Sequence, residues 1–155
     1  AHTWFLESYE QGPYGDLVIR LVEGIKGHER QTVEFIENVQ DSFFPVTIEP
    51  HSRCATVRFR DLRSLLTYTE GYEADDPKME LEEGSFLRKV KSSGFREFTA
   101  ATSTAIDEIR GGYTEWLLWT EEQIFQVLSG EPPEVSLDAR TPDFSIERGV
   151  TWSAN

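Results

Sequence analysis

Short patterns of apolar and polar residues follow one another along this chain, and they predict most of its elements. The clearest case is residues 53–60, where Val57 and Phe59 alternate with Arg58 and Arg60. Successive side chains of a strand point to opposite faces, so the pattern predicts a strand that buries Val57 and Phe59 and turns Arg58 away. We therefore expect this stretch to lie in a sheet with one face in the core.

Two hairpins are predicted from stretches rich in aromatic and β-branched residues that flank polar turns. Their strands are residues 3–9 with 17–22 and residues 113–119 with 123–128. For the second pair the alternative is a helix that begins at Thr120 as its N-cap. Shorter strands are predicted at 46–48 and 64–72. Residues 32–44 fit a strand followed by a loop, or a helical stripe; we favour the strand because Thr and Val are poor helix formers.

Helices are predicted to be few and short. Residues 85–91 fit one helix, with Ser85 as the N-cap and with Phe86, Leu87 and Val90 facing inward. Residues 95–110 fit a loop followed by a second short helix. Strands therefore dominate, and the absence of alternating strands and helices argues against Rossmann and TIM-barrel folds. The predicted class is α+β, a mainly antiparallel curved β-sheet with one or two short helices.

The length of 155 residues predicts a single domain with a sizeable core. The sequence Glu131-Pro132-Pro133 is predicted to end the folded region. We place the domain at 1–137 and treat 138–155 as a loosely attached C-terminal tail, anchored by Phe144, Ile146 or Trp152.

The charge of the chain is strongly negative, with 28 acidic residues against 15 Lys and Arg and a formal net charge of -13. Such a domain repels nucleic acid and anionic membranes and attracts basic partners. The basic stretch Arg53–Arg63 is therefore expected to pair with acidic neighbours. A single cysteine excludes an internal disulfide, and no run of 18 apolar residues is present. We expect a cytoplasmic protein.

One segment concentrates the acidic residues, with Lys78 as the sole cation among them. The acids are Glu70, Glu73, Asp75, Asp76, Glu80, Glu82 and Glu83. This segment is predicted to be a loop that serves as a docking surface for a basic partner; the alternatives are a cation site or a solvated loop. The spacing of a calcium-binding loop is missing and Pro77 interrupts the segment, so no metal site is predicted.

Two tryptophans and one cysteine are the remaining candidates. Trp116 and Trp119 lie three residues apart on one predicted strand and so point to opposite faces. We expect one of them to be available for binding. Cys54 opens an apolar strand and is predicted to be buried and inert. His51 is three residues away, and two such residues do not complete a zinc site or a nucleophile–base pair.

No sequence motif of an enzyme or a cofactor site is present, and neither catalysis nor a cofactor is predicted. In composition the chain resembles small acidic immunity and inhibitor proteins of bacteria, which implies an interaction module that binds a basic partner protein. The alternative hypothesis is a small-ligand or enzymatic pocket in a curved sheet that uses an Asp or Glu base. A homo-oligomeric structural subunit is the third hypothesis.

Overall fold

Antiparallel sheets account for most of the computed structural model, which describes residues 3–37, 39–72, 75–102, 106–144 and 150–155. In chain order the strands are β1 Trp4–Gln11, β2 Leu17–Glu23, β3 Ile25–Lys26, β4 Gln31–Ile36, β5 Val39–Thr47, β6 Cys54–Phe59, β7 Leu62–Thr69, β8 Glu80–Leu81, β9 Leu87–Ser92, β10 Thr114–Trp119, β11 Gln123–Ser129, β12 Glu134–Asp138 and β13 Thr151–Ser153. The helices are α1 Gly94–Thr102 and α2 Ile106–Arg110. The predicted class, α+β with mainly antiparallel strands, is confirmed.

The strands form three sheets. The first sheet has four strands in the order β1-β2-β6-β12, and the second has five in the order β7-β11-β10-β9-β8. The third sheet joins β13, β5 and β3, and β4 also pairs with β5. Several pairs join distant parts of the chain, since β7 pairs with β11 and β6 with β12.

The core lies between the first and second sheets. Ile19 and Val57 of the first sheet and Leu118, Phe125 and Val127 of the second belong to one cluster of buried side chains, and each is fully buried. Burial of such apolar surface is the main favourable contribution to folding. We call the faces that meet in this cluster the inner faces, and the opposite face of the second sheet the outer face.

The strands predicted at residues 3–9, 17–22, 53–60 and 113–119 are confirmed as β1, β2, β6 and β10. The predicted register of β6 is also confirmed, because Val57 and Phe59 are fully buried while Arg58 is half-buried. Residues 113–128 form a hairpin and no helix begins at Thr120. The Thr120 hydroxyl instead accepts a hydrogen bond from the Gln123 amide at 3.0 Å, which fixes the turn between β10 and β11.

The predicted helix at 85–91 is wrong, because this stretch contains strand β9, which pairs with β10. Leu87 packs against the core, and Val90 is buried on the opposite face. Apolar residues three apart suit a helix, but they also suit a strand that is covered on both faces. Here the hydrogen bonds to β10 decide between the two.

Three further predictions need correction. Residues 32–44 contain β4 and the first part of β5 rather than a strand and a loop. The loop expected after residue 95 is helix α1, which Ser93 caps by accepting a hydrogen bond from the Arg96 amide at 3.0 Å. Glu131-Pro132-Pro133 does not end the fold, because β12 follows it and pairs with β6.

The predicted C-terminal tail carries strand β13, which pairs with β5 and includes Trp152, whereas Phe144 is exposed. The third proposed anchor, Ile146, lies outside the described residues. The division of the chain after residue 137 stays a prediction.

The connection between β7 and β8 positions the site described below. These strands lie at opposite edges of the second sheet, roughly 19 Å apart for four strand spacings. The acidic segment that joins them therefore crosses the sheet, and helix α1 follows β9 onto the same side. Together they cover the outer face.

Candidate functional site: a pocket on the outer face of the second sheet

A cavity of about 890 Å³ lies between the outer face, the acidic segment and helix α1. We call it the outer-face pocket. Its floor includes Tyr68, Leu117, Trp119 and Gln126 from β7, β10 and β11. Its cover includes Tyr72, Asp75, Asp76 and Met79 of the acidic segment and Phe95 and Phe98 of α1. The volume lies in the upper part of the usual range for small-molecule sites, roughly 300–1,000 Å³.

Strand alternation selects the residues that form the floor. In β10, Trp116 and Leu118 point to the core while Glu115, Leu117 and Trp119 share the outer face. The two tryptophans therefore lie on opposite faces, as predicted. Trp116 packs against the core, and Trp119 lines the pocket. Both are accommodated because the strand is covered on both sides.

A buried carboxylate lies beside the floor. Glu115 is fully buried and accepts hydrogen bonds from the Ser93 hydroxyl at 2.6 and 2.9 Å and from the Gln126 amide at 3.2 Å. The Arg96 guanidinium forms an ion pair with it at 3.3 Å. These partners offset the cost of burying the charge. Glu115 thereby connects β9, β10, β11 and the first turn of α1.

The same carboxylate fixes the orientation of the polar floor. An ionised carboxylate only accepts hydrogen bonds, so the Gln126 nitrogen faces Glu115 and its carbonyl oxygen faces the other way. That oxygen accepts a hydrogen bond from the Tyr68 hydroxyl at 3.2 Å. A chain of hydrogen bonds thus runs from Tyr68 through Gln126 to Glu115.

Asp76 has a structural role in the cover. Its carboxylate accepts hydrogen bonds from the Gly94 amide at 2.7 Å and the Lys78 amide at 2.9 Å. A Cβ at position 94 would lie 3.2 Å from both carboxylate oxygens, so glycine allows this close approach. Asp76 thus ties the acidic segment to the first residue of α1. The sequence had suggested Asp76 only as part of a docking surface, and this structural contact was not predicted.

The structure brings only some of the predicted site residues together. Asp75, Asp76 and Trp119 line the outer-face pocket, and Asp75 is exposed at its edge. Glu70, Glu80, Glu82 and Glu83 are exposed and do not line the pocket. Glu73 lies outside the described residues. Glu70 follows β7 and the last three lie around β8, so these acids occupy opposite edges of the second sheet.

Sequence reasoning missed the polar floor and the aromatic residues of α1. Glu115 and Gln126 did leave a signal, since each is the one polar residue between the two end residues of its strand. Polar residues in buried strands need hydrogen-bond partners, which marks them as members of a network. Phe95 and Phe98 were missed because their segment was taken for a loop.

Cys54 is fully buried, as predicted, and its lack of reactivity stays a prediction. His51 is exposed in the preceding turn. Within the described ranges, no group of three or more His, Cys, Asp or Glu side chains is arranged to hold a metal ion.

The basic stretch forms ion pairs with acidic neighbours, as expected. Arg53 pairs with Glu23, and hydrogen bonds from this guanidinium hold the pKa of Glu23 below its usual value. Arg63 pairs with Asp61 at 3.0 Å, and Arg110 pairs with the same carboxylate. The hydrogen bond from Arg63, followed by the effect of Arg110, lowers the pKa of Asp61.

No described helix has both the length and the apolar character needed to cross a membrane. Comparison of the chain with family models, with curated proteins and with solved structures finds no match.

Proposed function

We propose that this protein binds a small organic molecule in the outer-face pocket. The observation that carries the proposal is the cavity itself, which combines a largely apolar lining with a few polar groups. Trp119, Leu117 and Phe95 supply apolar surface, while Gln126 and Asp75 supply polar atoms. This combination is typical of ligand sites, where apolar walls provide affinity and a few polar groups fix orientation.

Exposed apolar side chains at the pocket support this proposal. Leu66, Tyr72 and Phe98 all line the pocket, and each exposes more than a third of its surface. Clustered exposed apolar residues on a charged protein mark binding surfaces more often than isolated ones do. A bound molecule would bury them, and release of water from these surfaces would favour binding.

Binding rather than catalysis is the function we propose. Glu115 accepts hydrogen bonds from Ser93 and Gln126, pairs with Arg96 and lies beside the pocket rather than in its lining. Asp76 holds the end of α1. Among the lining residues, Asp75 would be the candidate for a general base, because Asp76 is engaged by two backbone amides.

The test is titration with a neutral apolar fluorophore, N-phenyl-1-naphthylamine. We expect one site per chain and loss of binding in Leu117→Trp, because the larger side chain fills the cavity. Trp119→Ala should also weaken binding by tenfold or more. The matched control is Leu137→Trp, an exposed apolar position on β12 that lies outside the pocket lining. Unchanged binding in both pocket variants would refute the proposal.

A second candidate function is the docking of a basic partner protein on the acidic edge around β8. Glu80, Glu82 and Glu83 are exposed and form no ion pair within the described part of the chain. Unneutralised charge of one sign speeds the association of an oppositely charged partner. An immunity or inhibitor role, a cytoplasmic location and homo-oligomer formation stay predictions.

Charge reversal tests this second candidate. A variant with Glu80→Lys, Glu82→Lys and Glu83→Lys, titrated with a decalysine peptide, should bind it several-fold more weakly at low salt. The difference should shrink at 0.15 M salt, where the Debye length is roughly 8 Å. Asp76 is left intact because it holds α1, so thermal stability should not change. If the variant and the unchanged protein bind the peptide equally well at low salt, the acids around β8 do not form the docking surface.

A further inference from the structure

The lining of the outer-face pocket carries negative charge and no positive charge. Asp75 and Asp76 contribute carboxylates, and no Lys, Arg or His occurs among the described residues that line the cavity. Three cations on neighbouring elements have partners of their own: Lys78 pairs with Glu97 at 2.5 Å, Arg96 pairs with Glu115, and Arg88, opposite Leu117 on β9, donates to the Glu82 carbonyl at 2.9 Å. An anionic ligand would therefore meet repulsion from the two carboxylates that line the cavity.

Aromatic side chains make up much of the remaining lining. Tyr68, Tyr72, Phe95, Phe98 and Trp119 all contribute to it. The π-systems of such residues attract cations, and Trp does so most strongly. Aromatic walls also suit an apolar ligand body. Carboxylates beside aromatic side chains thus favour a ligand that carries both a positive charge and an apolar group.

The hydrogen bonds of the floor favour a ligand that donates. Tyr68 directs its hydroxyl proton to Gln126, and the Gln126 nitrogen donates to Glu115. The Tyr68 hydroxyl proton and one of the two Gln126 N–H protons are used within the floor, whereas the oxygens of the Gln126 amide and of the lining carboxylates each have two lone pairs to offer. An N–H donor on the ligand therefore suits the site better than an acceptor does.

We infer that the ligand of this pocket is a protonated amine on an apolar body. This inference rests on the proposed ligand-binding function and specifies the ligand class. Asp76, fixed by two backbone amides, provides a stationary negative charge. Asp75 is exposed and forms no ion pair in the described part of the chain, so its carboxylate is available to accept from an ammonium group.

The experiment compares three probes of one shape by isothermal titration calorimetry: 4-phenylbutylamine, 4-phenylbutanol and 4-phenylbutanoate. At pH 7 they are cationic, neutral and anionic. We expect the amine to bind at least tenfold more tightly than the alcohol, and the carboxylate to bind most weakly. Raising the ionic strength should reduce the affinity for the amine and leave that for the alcohol unchanged.

Two variants assign the effect to the pocket rather than to overall charge. Asp75→Asn should weaken amine binding several-fold and leave alcohol binding unchanged. Glu10→Gln removes the same charge from an exposed position on β1, outside the pocket lining, and should change neither affinity.

The outcomes separate this inference from the function on which it rests. Equal affinities for amine and alcohol, or equal effects of the two variants, would overturn the ligand class while leaving a small-molecule site. If none of the probes binds and Leu117→Trp does not alter binding of the neutral fluorophore, the proposed function fails as well.

Discussion

The two faces of the second sheet are built from alternate residues of the same strands, yet they make different kinds of contacts. The inner face contributes Leu118, Phe125 and Val127 to a cluster of buried apolar side chains. The outer face carries Glu115 and Gln126 in a buried hydrogen-bond network, with a large cavity beside it. One register therefore places an apolar cluster on one face and a polar network beside a cavity on the other, and a substitution on one face should leave the contacts of the other largely intact.

The largest effect is expected from Phe125→Ala on the inner face. Phe125 is fully buried, and its truncation should lower the free energy of unfolding by about 3–5 kcal/mol through lost burial and a new cavity. The outer-face control, Leu66→Ala, should cost less than about 1 kcal/mol because Leu66 is 39% exposed. Urea denaturation followed by circular dichroism measures both. Similar losses would remove the distinction between the faces.

The next largest effect is expected from Glu115→Ala, which tests whether the outer face also contributes to stability. The change leaves Ser93 and Gln126 without their acceptor and Arg96 without its ion pair. We expect a loss of about 2–4 kcal/mol in the free energy of unfolding, with a smaller loss for Glu115→Gln, which keeps the shape. A loss below about 0.5 kcal/mol in urea denaturation would mean that the network does not hold α1 to the sheet.

A smaller effect is expected at the cover, where neighbouring acids differ in role. Asp76→Ala removes the acceptor of the Gly94 and Lys78 amides and should cost about 1 kcal/mol, as the loss of a helix cap does. Asp75→Ala should leave the thermal midpoint unchanged while weakening amine binding. Equal thermal shifts in the two variants would contradict the division between a structural and a ligand-facing carboxylate.

The smallest effect is expected from the titration of Asp61, which precedes the core residue Leu62 in the chain. The pKa of Asp61 is lowered in the folded state, chiefly by its hydrogen bond from Arg63. As the pH falls, Asp61 is therefore protonated in the unfolded chain at a higher pH than in the folded protein. The stabilisation is present above the ordinary pKa of 3.8 and is lost as the pH falls through the folded-state value. Asp61→Asn should flatten the decline of the unfolding free energy between pH 5 and about 2.

Glu121 provides a control, because its pKa is shifted in the opposite direction to that of Asp61. Burial raises its pKa, so its ionisation opposes folding, and its contribution to stability is lost as the pH rises through the folded-state value. Glu121→Gln should therefore raise the thermal midpoint slightly at pH 7 and leave it unchanged below the ordinary pKa of 4.5. A lower midpoint at pH 7 would contradict this cause.

The alternation of apolar and polar residues predicted a strand correctly where the strand buries only one of its two faces. Val57 and Phe59 alternate with polar residues, and their register followed directly. The same rule failed at β9, where Leu87 and Val90 lie on opposite faces and both are covered. Periodicity alone does not distinguish such a strand from a helix; the pairing with β10 does.

The candidate site was predictable only in part, because it depends on strand order. Trp119 and the acids Asp75 and Asp76 were predicted to matter, but in separate surfaces. Their convergence follows from the placement of β7 and β8 at opposite edges of one sheet, which directs the intervening segment across it. Strand order arises from long-range pairing, and no local spacing of residues encodes it.

The pairing of distant strands also has a consequence for folding kinetics. β7 joins β11 across some sixty residues, with Leu65 opposite Val127, and β6 joins β12 across nearly eighty, with Val57 opposite Val135. The loop-closure entropy of both pairs opposes folding before their contacts form. Chains dominated by such contacts fold in milliseconds to seconds, whereas helical bundles fold in microseconds to milliseconds. We expect this chain to fold on the slower scale, with hairpins β1–β2 and β10–β11 as the local units that precede closure.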